Sequence, residues 1–168
     1  MEITVTSLVE QYGLLPHPEG GYYKENYRSN GVIPADALPG GFSGERNFST
    51  AIYFLLQKDN FSAFHRILSD ECWHFYHGAP ANVYVIDPDG NSTTIHLGND
   101  MGAGQQFQAI VPAGCWFASE TLGDFSFTGC TVAPGFDFRD FEMADADVLA
   151  KEFPQHEKLI RHFCRKNV

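Results

Sequence analysis

A succession of short apolar segments between residues 49 and 132 constrains the fold of this chain more than any other feature. The segments recur roughly every ten residues, and turn-forming residues rather than helical patterns separate them. They predict strands at residues 49–56, 61–68, 72–77, 81–86, 92–97, 105–111, 115–119 and 125–132. Strands at this interval are typical of an antiparallel sandwich or barrel, so we predict an all-β fold.

The sequence Asp87-Pro88-Asp89-Gly90 separates two of these segments. Proline presets the backbone angle of the first turn position, and glycine tolerates a positive φ. We therefore predict a hairpin between residues 81–86 and residues 92–97.

Helical patterns are confined to the two ends of the chain. Residues 4–12 have a helix-like spacing that ends at Gly13, a residue type that commonly terminates helices. Residues 144–153 indicate a second helix, and Pro154 is suited to open a last one. We thus expect a short N-terminal helix and one or two C-terminal helices around the strands.

The composition narrows the class of protein. Its 168 residues match one domain, which we place over residues 1–168, and an aromatic fraction of 14% is at odds with disorder. A net charge of -10 argues against a nucleic acid partner, and no apolar run is long enough to span a membrane. With no apparent export signal in residues 1–12, we expect a cytoplasmic protein with reduced cysteines. The cysteines are Cys72, Cys115, Cys130 and Cys164.

Residues 65–78 carry His65, Glu71 and Gly78 at set intervals. This pattern resembles the first sequence motif of the cupin superfamily, a His-x-His pair followed by Glu and then Gly. The position of the second His holds Ile67.

Residues 104–117 resemble the second cupin motif, in which Gly, Pro-x-Gly and a later His follow one another. Gly104, Pro112 and Gly114 match it, with one or two additional residues after the first Gly. Phe117 stands where that motif has its His.

These departures bear on the metal that many cupins hold. The resemblance implies a metal ligated by both His of the pair, the Glu and the later His, and of these the chain retains His65 and Glu71. Two ligands do not hold a transition metal with useful affinity. His77 is the remaining candidate on the same strand face, but it lies about 20 Å from Glu71 along an extended strand. We therefore expect no metal and no cofactor.

Longer phrases at residues 16–23, 69–75, 111–117 and 129–138 are similar to a narrower group, the small single-domain cupins of the cupin-5 (DUF985) family. The resemblance covers roughly residues 7–155. It implies a double-stranded β-helix, or jelly-roll barrel, that forms a homodimer. The nearest functional analogues that it implies are the metal-free epimerases acting on nucleotide-linked deoxysugars.

On the jelly-roll expectation, His65 and Glu71 face the interior from neighbouring strands. A His–carboxylate hydrogen bond between them makes a usable general base, because the carboxylate fixes the tautomer and raises the basicity of the imidazole. Tyr53 or Tyr23 is a candidate general acid. An inert polar pair that merely satisfies itself is the alternative interpretation.

Aromatic side chains on the same faces indicate a ligand site. Trp73, Phe75 and Phe117 are expected to form walls on which a sugar ring or planar ligand stacks. Gln106 and Gln108, together with Tyr23, are expected to supply hydrogen bonds. Core packing is the alternative role for the aromatic residues.

We therefore hypothesise a metal-independent isomerase or epimerase that acts on a small carbohydrate-like or nucleotide-linked ligand. The catalytic residues expected are His65, Glu71 and Tyr53. A ligand-binding cupin without catalysis and a divergent metal-dependent enzyme, such as a dioxygenase, are the alternatives.

Overall fold

The computed structural model describes residues 3–165, and its regular elements are mostly strands. Its α-helices are α1 (Val5–Tyr12), α2 (Ala146–Glu152) and α3 (Glu157–Phe163). Its strands are β1 (Leu15–Pro16), β2 (Tyr22–Arg28), β3 (Val32–Ile33), β4 (Arg46–Asn47), β5 (Thr50–Gln57), β6 (Phe61–Arg66), β7 (Asp70–Gly78), β8 (Ala81–Ile86), β9 (Ser92–Leu97), β10 (Gln108–Val111), β11 (Trp116–Thr121), β12 (Phe125–Ala133) and β13 (Glu142–Met143).

The strands form two main antiparallel sheets. The order is β1-β2-β5-β12-β7-β10 in the six-stranded sheet and β13-β6-β11-β8-β9 in the five-stranded sheet. Neighbours in these sheets are often distant in sequence, as with β12 between β5 and β7, so the chain crosses repeatedly between the sheets. This arrangement confirms the all-β jelly-roll fold.

An apolar core fills the space between the two sheets, because alternate residues of each strand point inward. From β5, Phe54 and Leu56 enter this core, whereas Leu55 packs outward beneath α1. From the facing sheet, Val83 and Phe117 enter the same core. Both sheets therefore contribute side chains to one apolar core.

The C-terminal helices cover the outer face of the five-stranded sheet. Leu149 of α2 and Phe163 of α3 pack with Phe64 and Trp116, whose strand neighbours point into the barrel. Pro154 opens a 3₁₀ turn, Pro154–His156, that leads directly into α3. The expected N-terminal and C-terminal helices are thus confirmed, and the C-terminal pair covers the outer face of the five-stranded sheet.

The predicted hairpin is also present. Strands β8 and β9 have the predicted bounds, and they pair from Ala81 opposite Leu97 to Ile86 opposite Ser92. The carboxylate of Asp87 accepts a hydrogen bond from the backbone N–H of Asn91 at 2.8 Å, which closes the turn. Strand β10 is shorter than predicted and begins at Gln108, because Gln106 instead forms a bridge with Leu97.

Candidate active site

A cavity of about 470 Å³ lies between the two sheets, beside the apolar core. Aromatic side chains form much of its wall, and ionisable side chains meet on its floor. The aromatic group comprises Tyr23, Phe54, Phe136, Phe138 and Phe141. The ionisable group on the floor comprises His17, Glu19, His65 and Glu71. We call this second group the acid–base cluster.

His65 lies on β6 and has both ring nitrogens in hydrogen bonds. Its Nδ1 is 2.7 Å from the carbonyl oxygen of Ala63, so Nδ1 must carry a proton and donate it. Its Nε2 is 2.9 Å from Oε2 of Glu19. This second contact needs a further proton, held either by Nε2 or by the carboxyl group. The geometry therefore requires the pair to share one proton beyond that on Nδ1.

Electrostatics assigns that shared proton to the imidazole. Burial alone would lower the pKa of His65, but the charge and hydrogen bond of Glu19, with the nearby Glu71, outweigh it and raise the pKa. Burial alone would raise the pKa of Glu19, but the charge and hydrogen bond of His65 lower it overall. We therefore describe the pair as a buried imidazolium–carboxylate pair.

Glu71 lies on β7 and is 8% exposed. Burial is the main cause that raises the pKa of its carboxyl to about 7, and the positive His65 opposes the rise only in part. The Cys130 thiol hydrogen-bonds this carboxyl, and the indole Nε1 of Trp73 approaches it without completing a hydrogen bond. Glu71 therefore exchanges a proton near neutral pH, as a general acid or base must.

The turn between β1 and β2 brings His17 and Glu19 to the cluster. Gly20 and Gly21 have φ angles of 116° and 76°, and a side chain at Gly20 would overlap the carbonyl oxygen of Phe61. The two glycines thus let the turn lie against β6. The backbone N–H of Glu19 donates to Nδ1 of His17 at 3.3 Å, so a neutral His17 carries its proton on Nε2. Burial lowers the pKa of His17 and favours that neutral form.

The wall that follows β12 is held by a buried ion pair. Arg46 donates to both carboxylate oxygens of Asp140, at 2.7 and 2.6 Å. This contact fixes the short 3₁₀ turn Phe138–Asp140, which carries Phe138 of the wall and directly precedes Phe141. The cavity wall is therefore anchored to β4.

Comparison with known proteins now identifies the family. The Cupin_5 profile, described as "Cupin superfamily (DUF985)", matches residues 6–144. The chain belongs to the Cupin_5 family. An uncharacterized protein of Saccharomyces cerevisiae is 32% identical over 166 residues, spanning 92% of this chain and 82% of that protein.

Solved structures agree with this assignment. A protein from Shewanella oneidensis superposes with a TM-score of 0.88 at 36% identity, over 99% of this cupin and 100% of that chain. A hypothetical protein from Leishmania major gives 0.88 at 31% identity, over 98% and 100%. Oxalate decarboxylase from Bacillus subtilis gives 0.55 at 16% identity, over 90% of this cupin and 37% of that chain, and so shares the fold alone.

The donor set of this cupin does not fit a metal ion at the position of the two motifs. Ile67 lines the cavity, and Phe117 packs on His65 with ring centroids 4.1 Å apart. His65 has no free nitrogen, since Glu19 and the Ala63 carbonyl engage both. Within residues 3–165, no group of His, Cys, Asp and Glu side chains is arranged to hold a metal ion.

The structure corrects the expected partner of His65 and places Tyr53 away from the cavity. Glu19, not Glu71, accepts the hydrogen bond of His65. Tyr53 points to the opposite face of its sheet, where its ring lies 4.6 Å from that of Tyr12, because neighbouring strand residues alternate between faces. Tyr23 lines the cavity as expected.

The remaining expected ligand-binding residues do not line this cavity. Trp73 and Phe117 are each 1% exposed within the packed core, and Phe75 packs against that core. Gln106 and Gln108 are exposed, and Gln108 Nε2 lies 3.3 Å from Nδ1 of His74. The aromatic residues are displaced because the cavity occupies only part of the barrel interior, whereas the two glutamines lie on exposed surface.

Sequence reasoning missed Glu19 and His17, and it missed the aromatic wall after β12. The signal for Glu19 was a carboxylate directly before Gly20 and Gly21 in a turn. Nothing in strand periodicity indicates which strand such a turn will contact.

Within residues 3–165, no helix is long and apolar enough to cross a membrane.

Proposed function

We propose that this cupin is a metal-independent enzyme that transfers a proton within a small carbohydrate-like ligand, as an isomerase or epimerase does. The observation that carries the proposal is the buried Glu71 carboxyl, with a pKa raised to about 7 by burial, facing a cavity beside a protonated His65. A carboxyl tuned to neutral pH in a cleft is characteristic of acid–base catalysis.

In the proposed reaction Glu71 is the base. Its carboxylate accepts a proton from a carbon next to a carbonyl group, the C–H electron pair forms the enediolate double bond, and the carbonyl oxygen becomes negative. For isomerisation, the carboxyl then returns the proton to the neighbouring carbon, while the hydroxyl proton of the first carbon passes to the negative oxygen and leaves a new carbonyl there. For epimerisation, the carboxyl returns the proton to the opposite face of the same carbon after the ligand has turned. His65 is unsuited to this role because both of its nitrogens already form hydrogen bonds.

The other members of the acid–base cluster support the charge that develops on the ligand. The imidazolium of His65 is held by Glu19 and by the Ala63 carbonyl, so it orders this buried site but leaves no N–H for the ligand. Neutral His17 has a proton on Nε2 to donate. Preorganised groups of this kind stabilise a developing oxyanion more strongly than water does.

The test is exchange of a carbon-bound proton with solvent. The protein is incubated in D₂O with keto sugars and, separately, with a nucleotide-linked 4-keto-6-deoxyhexose, and deuterium incorporation is followed by ¹H NMR. We expect Glu71→Gln to slow incorporation by about a hundredfold or more, since the amide cannot accept the proton. Glu142→Gln, on the exposed Arg66 pair, is the matched control and should exchange as the parent does.

Exchange at the parental rate in Glu71→Gln would refute this role. A ligand that binds the parent but never exchanges would instead favour the ligand-binding cupin without catalysis.

A homodimer and a cytoplasmic location stay predictions, which light scattering and cell fractionation test.

A further inference from the structure

The cationic groups around the cavity are all committed to partners. Arg28 is the one Arg or Lys side chain that lines it within residues 3–165. Its Nε and Nη2 donate to the two carboxylate oxygens of Glu25, at 2.9 and 2.7 Å. Its Nη1 donates to Asn47 Oδ1 at 2.8 Å, and Nη2 also reaches the carbonyl oxygen of Phe136. These contacts use four of the five guanidinium N–H groups, so an anion could bind Arg28 in a bidentate manner only by displacing a partner.

The other cations nearby are equally occupied, and Arg46 is held by Asp140 as described above. Arg139 donates to both carboxylate oxygens of Asp137 at the cavity wall, at 2.9 and 2.7 Å. His65 is held by Glu19 and the Ala63 carbonyl oxygen. Each positive charge next to the cavity is therefore already neutralised by a carboxylate of this chain.

The acidic groups, by contrast, include a carboxyl that no cation neutralises. Glu71 has no cation in direct contact among the described residues, and the partner of its carboxyl is the neutral Cys130 thiol. Whenever the Glu71 carboxyl is ionised, a carboxylate or phosphate buried beside it would meet a like charge in a low-dielectric site, which costs more than in water.

The cavity wall favours an apolar ring face instead. Its aromatic side chains offer flat surfaces, and its free polar groups are a carboxyl and a neutral imidazole N–H, which suit hydroxyl and carbonyl groups. The volume of about 470 Å³ lies within the range of ordinary small-molecule sites.

We infer that the ligand of this cavity is uncharged in its buried part: a polyhydroxy or keto compound such as a free sugar, not a sugar phosphate, a uronate or a small dicarboxylate. This inference rests on the proposed function for the identity of the site, but it concerns charge selectivity in binding. It identifies Glu25 as a specificity-determining residue, because Glu25 withholds Arg28 from anionic ligands.

The experiment is a ligand-observed NMR titration with a panel of neutral aldoses and ketoses, each paired with its phosphate ester and its uronate, up to about 10 mM. We expect a neutral member to bind at least about tenfold more tightly than its anionic partners. A phosphate or uronate that binds as tightly as its neutral partner overturns the inference, and so does the absence of binding by every neutral member.

Variants test the cause of the selectivity. Glu25→Gln removes the carboxylate that occupies Arg28, and we expect phosphate esters to bind at least about tenfold more tightly than to the parent. Glu142→Gln frees Arg66, an exposed cation that does not line the cavity, and should leave the selectivity unchanged. Unchanged phosphate binding in Glu25→Gln would refute the specificity role.

The two proposals fail separately. A neutral sugar that binds without deuterium exchange contradicts the catalytic proposal and supports the charge selectivity. An anionic ligand that binds preferentially and exchanges does the opposite.

Discussion

The two parts of the barrel interior differ in what the same strands place there. On β7, Glu71 faces the cavity, while Trp73, two residues further on, is buried in the packed core. On β6, His65 contributes to the acid–base cluster, while Phe117 of the neighbouring strand closes the core against its ring. The packed part consists mainly of buried apolar side chains, whereas ionisable side chains and open volume meet in the cavity part. A packed apolar core therefore adjoins the ionisable residues.

This contrast has an energetic meaning. Apolar burial stabilises the packed part, whereas burying Glu71 next to the cavity opposes folding whenever its carboxyl is ionised. Sites that retain such a group commonly exchange stability for chemistry. The two parts should therefore respond in opposite directions when their central side chains are replaced.

The largest expected effect is in the packed part. Trp73→Ala should destabilise the fold by about 3–5 kcal/mol, because it leaves a large cavity under a side chain that is 1% exposed. Chemical denaturation followed by circular dichroism measures this loss. Trp73→Phe is the matched variant; it keeps an aromatic ring, removes an indole N–H that has no hydrogen-bond partner, and should lose clearly less. Equal losses for the two variants would contradict the packing interpretation.

Much of this packed part follows from the sequence. Alternation along residues 81–86 and 92–97 gives β8 and β9 with their predicted bounds, because one buried face fixes the register of a strand. Alternation also places Trp73 on the same face as Glu71. It does not show where along that face a cavity begins, since inward-pointing residues have the same pattern in both parts.

The cavity part was less predictable, for a physical reason. Glu19 reaches His65 across the fold through a glycine turn, and no local periodicity encodes such a contact. Glu71 lines the cavity, but its expected partnership with His65 is not observed. Burial and the absence of a cation, rather than sequence spacing, determine the state of its carboxyl.

The second prediction uses that state. The pKa of Glu71 rises from 4.5 to about 7 on folding, so its contribution to stability is fully present below pH 4.5 and is lost as the pH rises towards 7. The loss amounts to about 3 kcal/mol by the conversion of pKa shifts to free energy. Glu71→Gln cannot ionise, so at pH 8 it should be more stable than the parent by up to this amount. Thermal or urea unfolding between pH 4 and 8, in about equal steps, measures the difference.

The gain should shrink as the pH falls, because the parental carboxyl becomes protonated and resembles the amide. A variant that is no more stable than the parent at pH 8 would mean that burial of the ionised Glu71 carboxylate does not destabilise the fold. Activity and stability would then not oppose each other at this residue.

The smallest expected effect concerns the pair that orders the cavity floor. Glu19→Gln removes the carboxylate that holds the proton of His65, and it should cost about 2 kcal/mol at neutral pH, as for a hydrogen bond to a charged group. The cost stays limited because His65 can release its proton. Burial then remains the main influence, so the pKa of His65 should fall from above 6.5 in the parent to below it. An NMR titration of the His65 ring measures this change.

Glu142→Gln, on the exposed pair with Arg66, should cost at most about 1 kcal/mol and leave the His65 titration unchanged. If His65 titrates alike in both variants, Glu19 does not control its charge, and the difference between the packed and cavity parts depends on Glu71 alone.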